Sequence, residues 1–129
     1  MRKILIKVMV LAVMAGAMIG CRTTPVYNVE QQTIVSNGSA KLGDVQKAII
    51  AAGASLGWQM KVMKPGHIVG TLYLRDHMAK IDVNYSTENY SITYKDSNNL
   101  NYDGTNIHSN YNGWVQNLQR KIDAYLGAI

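Results

Sequence analysis

The 129-residue chain contains one cysteine, two prolines and no phenylalanine. A single thiol excludes an intramolecular disulfide and a Cys-rich zinc site. The three histidines, His67, His77 and His108, show none of the i, i+4 spacing that puts two imidazoles on one helical face. Acidic residues are scarce, eight against thirteen basic ones. Arg2, Lys3 and Lys7 account for much of that excess. Beyond residue 20 the net charge is only +2, which is not the footprint of a nucleic-acid binder. Long apolar runs are also missing, with one exception from Val8 to Ile19.

That exception follows a basic start, Met1-Arg2-Lys3-Ile4-Leu5-Ile6-Lys7, and ends in Met18-Ile19-Gly20-Cys21. As a helix, Val8 to Ile19 would rise about 18 Å against about 30 Å of hydrocarbon, short for a membrane span. A basic n-region, an uncharged h-region and a small residue before the cut describe a secretory signal. With cysteine directly after Gly20, the segment resembles the signal of bacterial lipoproteins, whose lipobox ends in a small residue and cysteine. Met18 departs from the Leu most often found there, but is similar in size and equally apolar.

The resemblance implies that residues 1–20 are removed and that the Cys21 thiol carries a diacylglycerol, with further acylation of the new amine. Two or more acyl chains hold a protein firmly to a bilayer, at about 0.8 kcal/mol per buried methylene. Arg22, where an Asp would favour inner-membrane retention, implies the periplasmic face of an outer membrane. An uncleaved anchor and a free thiol are the alternatives, and a lone thiol in an oxidising compartment is a liability. The remainder is similar to small uncharacterised proteobacterial lipoproteins, a likeness that implies no activity.

After the signal, 109 residues suit one domain with one core. Residues 21–38, with Pro25 and Asn37-Gly38, read as a tether reaching roughly 55–60 Å when extended. An edge strand within Val26–Val35 is the alternative. The domain proper is expected over 39–129. Val45, Ala48, Ile49, Ala52 and Leu56 form a helical stripe, with Ser39 as its N-cap and Gly57 at its end. Four runs of period-two alternation then begin at Trp58, Ile68, Ala79 and Tyr90. They predict a four-stranded antiparallel meander with one buried face. A polar loop, Asp96 to Ser109, leads to a last helix with Tyr111, Trp114, Val115, Leu118, Ile122, Tyr125 and Leu126 inward. The expected architecture is an α+β two-layer sandwich in the order α-β-β-β-β-α.

Little in this chain assembles a reaction. Asp76-His77 is the one adjacent acid–imidazole pair, but neighbours in a turn usually point apart, and no Ser sits in a nucleophile elbow. No metal site, cofactor or catalytic residue is expected. The eight tyrosines suit half-buried positions whose hydroxyls reach water or a partner. The exposed sheet face should present Lys61, Met63, Val69, Thr71, Lys95 and a candidate binding set of Tyr73, Arg75, Lys80, Asp82 and Thr93. A plain solvated face is the alternative. In the Asn-rich loop, Leu100, Tyr102 and Ile107 are expected to pin the backbone to the core.

The expectation is a membrane-anchored, non-enzymatic interaction module that meets an envelope protein or peptidoglycan. A small-ligand or sensing domain is the alternative, and a hydrolase of envelope polymers the third reading.

Overall fold

The computed structural model describes residues 22–129; the expected signal segment and Cys21, the expected lipidation site, lie outside them. The elements are β1 (Thr23–Pro25), β2 (Val29–Thr33), α1 (Leu42–Ser55), β3 (Gln59–Lys64), β4 (His67–Leu74), β5 (His77–Tyr85), β6 (Asn89–Asn98), β7 (Asn106–His108) and α2 (Ser109–Gly127). The fold is α+β. A five-stranded antiparallel sheet runs in the order β2-β6-β5-β4-β3, and β1 pairs separately with β7.

The four alternating runs form neighbouring strands β3 to β6, and the fifth strand comes from the segment read as a tether. That reading is corrected here. Val29 lies opposite Ile92 and Thr33 opposite Asn89, with a bulge between that carries Gln31 at φ 51°. Upstream, Thr23 pairs with His108 and Pro25 with Asn106. The bulge explains why the pattern hid the strand: it breaks period-two alternation after two residues. Asn112 of α2 secures the stretch between β1 and β2. Its Oδ1 accepts the Tyr27 N–H at 2.9 Å, and its Nδ2 donates to Thr24 Oγ1 at 2.8 Å and the Pro25 carbonyl at 2.9 Å.

Helix α1 starts two residues later than Ser39 would set it. Lys41 is the N-cap residue, and its N–H donates to Asp44 Oδ2 at 3.1 Å. Gly57 follows the helix at φ 89°, the left-handed conformation that glycine adopts without penalty. The close approach of α1 to the sheet rests on another glycine. A Cβ on Gly53 would stand 2.5 Å from the Met60 sulfur, which also lies 3.0 Å from where a Cβ on Gly70 would be. Met60 therefore occupies space left by two glycines, one on the helix and one on β4.

The core is one cluster. Ile68 and Leu72 of β4, Ala79, Ile81, Val83 and Tyr85 of β5, and Tyr90 and Ile92 of β6 meet Val45, Ile49 and Ala52 of α1 and Val115, Leu118 and Ile122 of α2. Each fully buried aliphatic side chain contributes roughly 1.5–3 kcal/mol. The long loop is tied to the same cluster by Leu100 and Ile107, both buried.

Two buried tyrosines differ in how they are satisfied. The Tyr90 hydroxyl donates to Asp123 Oδ1 at 2.6 Å, whereas the Tyr111 hydroxyl is buried with no partner among the described residues. Tyr111→Phe removes an unpaired polar atom and should raise stability by about 1 kcal/mol in denaturant titration; a loss of that size would show that the hydroxyl is satisfied after all.

Burial, reinforced by the Asp123 carboxylate, pushes the Tyr90 hydroxyl above the usual tyrosine range. The unfolded chain releases that proton near pH 10, so its contribution is full below about pH 10 and falls as pH rises. In Tyr90→Phe the decline of stability above pH 10 should be shallower by about 1.4 kcal/mol per pH unit. Urea midpoints across that range measure it.

Candidate functional site

Alternation along β3 to β6 leaves one face of the sheet without a cover among the described residues. Register places Thr71 opposite Lys80, Val69 opposite Asp82, and Asp82 opposite Thr93. Lys80, Asp82 and Thr93 are thus brought together at the middle of this face. Tyr73 stands at its end, across from Met78 and 63% exposed. Arg75 does not join them, which corrects its placement in the candidate set. Leu74 pairs with His77, so Arg75 and Asp76 make a two-residue turn in which Arg75 takes the left-handed conformation at φ 56°. A hairpin this tight requires a positive φ, and here an arginine supplies it.

The centre of the face is a charged cluster. His67 Nε2 lies 2.7 Å from Asp82 Oδ1, and Lys95 Nζ lies 3.7 Å from the same oxygen. The hairpin register sets His67 diagonal to Asp82. A bulge in β6, where Ile81 faces Tyr94 but Lys80 faces Asp96, turns Lys95 toward it. His67 is the residue that sequence reasoning missed; counting outward from the Arg75-Asp76 turn would have found it. A carboxylate that orients an imidazole is half of a nucleophile-activating device. Among the described residues no hydroxyl or thiol is hydrogen-bonded to His67. Lys61, Lys64 and Lys80 share this face and, among the described residues, have no carboxylate within ion-pair distance.

At one end of the sheet, Asp76 and His77 come closer than adjacency in a turn suggests. His77 Nε2 lies 3.6 Å from Asp76 Oδ1. His77 Nδ1 is 2.7 Å from the Asn99 carbonyl, an acceptor only, so Nδ1 carries the proton. Asn99 Nδ2 in turn donates to Asp76 Oδ2 at 2.8 Å. The His77 ring packs at 6.3 Å from His108 and 6.2 Å from Trp114. His108 Nδ1 accepts the Asn110 N–H at 3.1 Å and caps α2. Both imidazoles therefore brace the backbone. No group of three His, Cys, Asp or Glu among the described residues is arranged to hold a metal ion.

The last residues of β6 and the loop after it, Tyr94 to Tyr102, line an open cleft of about 480 Å³. Tyr102 stacks on Tyr94 at 4.0 Å, and Tyr94 meets Tyr111 edge-on at 5.7 Å. Asn99 and Asn101 adopt φ 60° and 54°, a conformation asparagine tolerates better than most residues. Asp103 fixes the following turn. Hydrogen bonds from the backbone N–H groups of Asn106 and Thr105, at 2.7 and 2.9 Å, hold its carboxyl below the usual range. Leu100 and Ile107 are buried and pin this loop, while Tyr102 stays 41% exposed.

Among the described residues no helix is long and apolar enough to cross a membrane. Comparison with protein-family models, with curated proteins and with solved structures finds no match for this chain.

Proposed function

We propose that this is a lipid-anchored envelope protein held through Cys21 at the periplasmic face of the outer membrane. In this reading it is a non-enzymatic interaction module. The molecule acts as a two-layer sandwich: the helices cover one side of the sheet and the other side meets a partner. The observation that carries the reading is the open face, where Lys61, Lys64 and Lys80 lack carboxylate partners among the described residues, around the Asp82–His67–Lys95 cluster. A rigid sheet bearing unpaired ammonium groups complements an acidic protein surface, and charges so placed speed encounter and exclude wrong partners. Peptidoglycan stems, which also carry carboxylates, are the competing partner.

The test uses a photo-crosslinking residue at Thr71, on the open face, and another at Gln116, on the outer side of α2. A discrete protein adduct is expected from Thr71 alone, and Lys61→Glu with Lys80→Glu should reduce it by roughly tenfold or more. Equal adducts from both positions, or no effect of charge reversal, would remove the open face from the account. In parallel, Cys21→Ser should move the protein from the membrane to the soluble fraction; continued membrane retention would remove the anchor.

One observation favours a second reading. The cleft beside Tyr94 and Tyr102 combines stacked rings with asparagine amides and has the size of a small-ligand site. A polar ligand there would be detected as a shift of Asn98, Asn99 and Asn101 side-chain amide resonances.

A further inference from the structure

The structure places the point where the chain joins the fold beside one particular end of the sheet. The Ser109 N–H donates to the Arg22 carbonyl at 2.7 Å, and Thr23 already pairs with His108. His108 and Ser109 open α2, next to His77 and the β4–β5 turn. Strands β4, β5 and β6 run between this end and an opposite one, formed by the Gly66 turn, the turn after Tyr85 and the last residues of α2. At the opposite end the Asn37 N–H donates to the Ile129 carbonyl.

Cys21 directly precedes Arg22 in the chain, so a lipid on it would join the protein one residue before the described fold begins. Acyl chains on that residue bring the bilayer to this end of the molecule, with no free tether between. The side chains found here suit such a surface. Tyr73, 63% exposed, stands at this end, as does exposed Leu74, which pairs with His77 beside the turn. Tyrosine is favoured at headgroup depth, where its ring is buried and its hydroxyl hydrated. Arg22 and Arg75 extend long apolar stems that end in phosphate-binding guanidinium groups. Asp76 in the same turn offsets part of their charge, which fits a largely zwitterionic surface rather than a strongly anionic one.

We propose that the end bearing Arg22, Tyr73, Leu74 and Arg75 rests on the lipid headgroups, so that the sheet stands upright on the membrane. This rests on the acylation of Cys21 proposed above. The far end carries exposed Val35 and Met63 as well, but lies about 30 Å away, the length of a nine- or ten-residue strand. With the strands upright, the open face looks sideways along the membrane and stays available to a partner.

The acylated chain leaves no other free thiol, so a single introduced cysteine takes a nitroxide label cleanly. Asp76→Cys marks the proposed docking end, and Thr87→Cys marks the opposite end. Both lipidated proteins are placed in vesicles of phosphatidylethanolamine and phosphatidylglycerol containing headgroup-chelated nickel. Relaxation by the nickel should be strong at position 76 and absent at position 87, whatever the phosphatidylglycerol fraction. Equal relaxation at both positions, or stronger relaxation at 87, would overturn the docked orientation. The mass of the Cys21 peptide separates the two layers of the argument. Without diacylglycerol on it, anchor and orientation fall together; with diacylglycerol and equal relaxation, only the orientation falls.

Discussion

Asn112 makes the contact on which the rest of this structure depends. One side chain accepts from Tyr27 and donates to Thr24 and Pro25, so three hydrogen bonds join α2 to a segment more than eighty residues away. Nearby, the Tyr27 hydroxyl donates to Gln119 Oε1 at 2.5 Å, again on α2. These bonds place β1 beside β7 and deliver β2 to the free edge of β6. Besides them the first residues have the short pairings of β1 and β2, weak by themselves, and the packing of Val26, Tyr27, Val29 and Ile34 on the core. With them the chain is part of the domain from Arg22 onward.

The consequence reaches the proposed function. A flexible tether would let the domain sample roughly 55–60 Å around its anchor, in any orientation. A chain fixed at Arg22 removes that freedom. In the proposed anchoring the domain would be held at the surface with one end down, at a height set by strand length. Orientation matters because the two faces of the sheet differ so sharply. One is filled by α1 and α2 over a continuous apolar core, while the other carries lysines around a shared carboxylate. An upright sheet keeps the second face clear of lipid.

Much of the fold was legible in the sequence because β3 to β6 alternate cleanly and both helices carry apolar stripes. Gly57 and the Ser109 start of α2 were equally readable. The fifth strand was legible only as the alternative, an edge strand within Val26–Val35, since a bulge at Gln31 breaks its alternation and its pairing partners lie far along the chain. Arg75 was misplaced for a related reason: nothing in its type announces a left-handed turn. Of the candidate set, Lys80, Asp82 and Thr93 meet as alternation implies, and Tyr73 marks the end of the face. His67 escaped notice because its partner Asp82 is fixed by hairpin register rather than by spacing along the chain. The contact between Asp76 and His77 depends on Asn99, another long-range partner.

The central claim is that the chain is structured from its first residues after Cys21. Native-state hydrogen exchange reads this directly through the amides of Val26, Tyr27 and Ile34. These amides donate to the Thr105 carbonyl, the Asn112 side chain and the Glu88 carbonyl. The account predicts protection well above the unfolded-chain rate at all three, and its loss at Val26 and Tyr27 in Asn112→Ala while β5 and β6 stay protected. Exchange at unfolded-chain rates in the unaltered protein would contradict it, and would restore a free tether between the membrane and the domain.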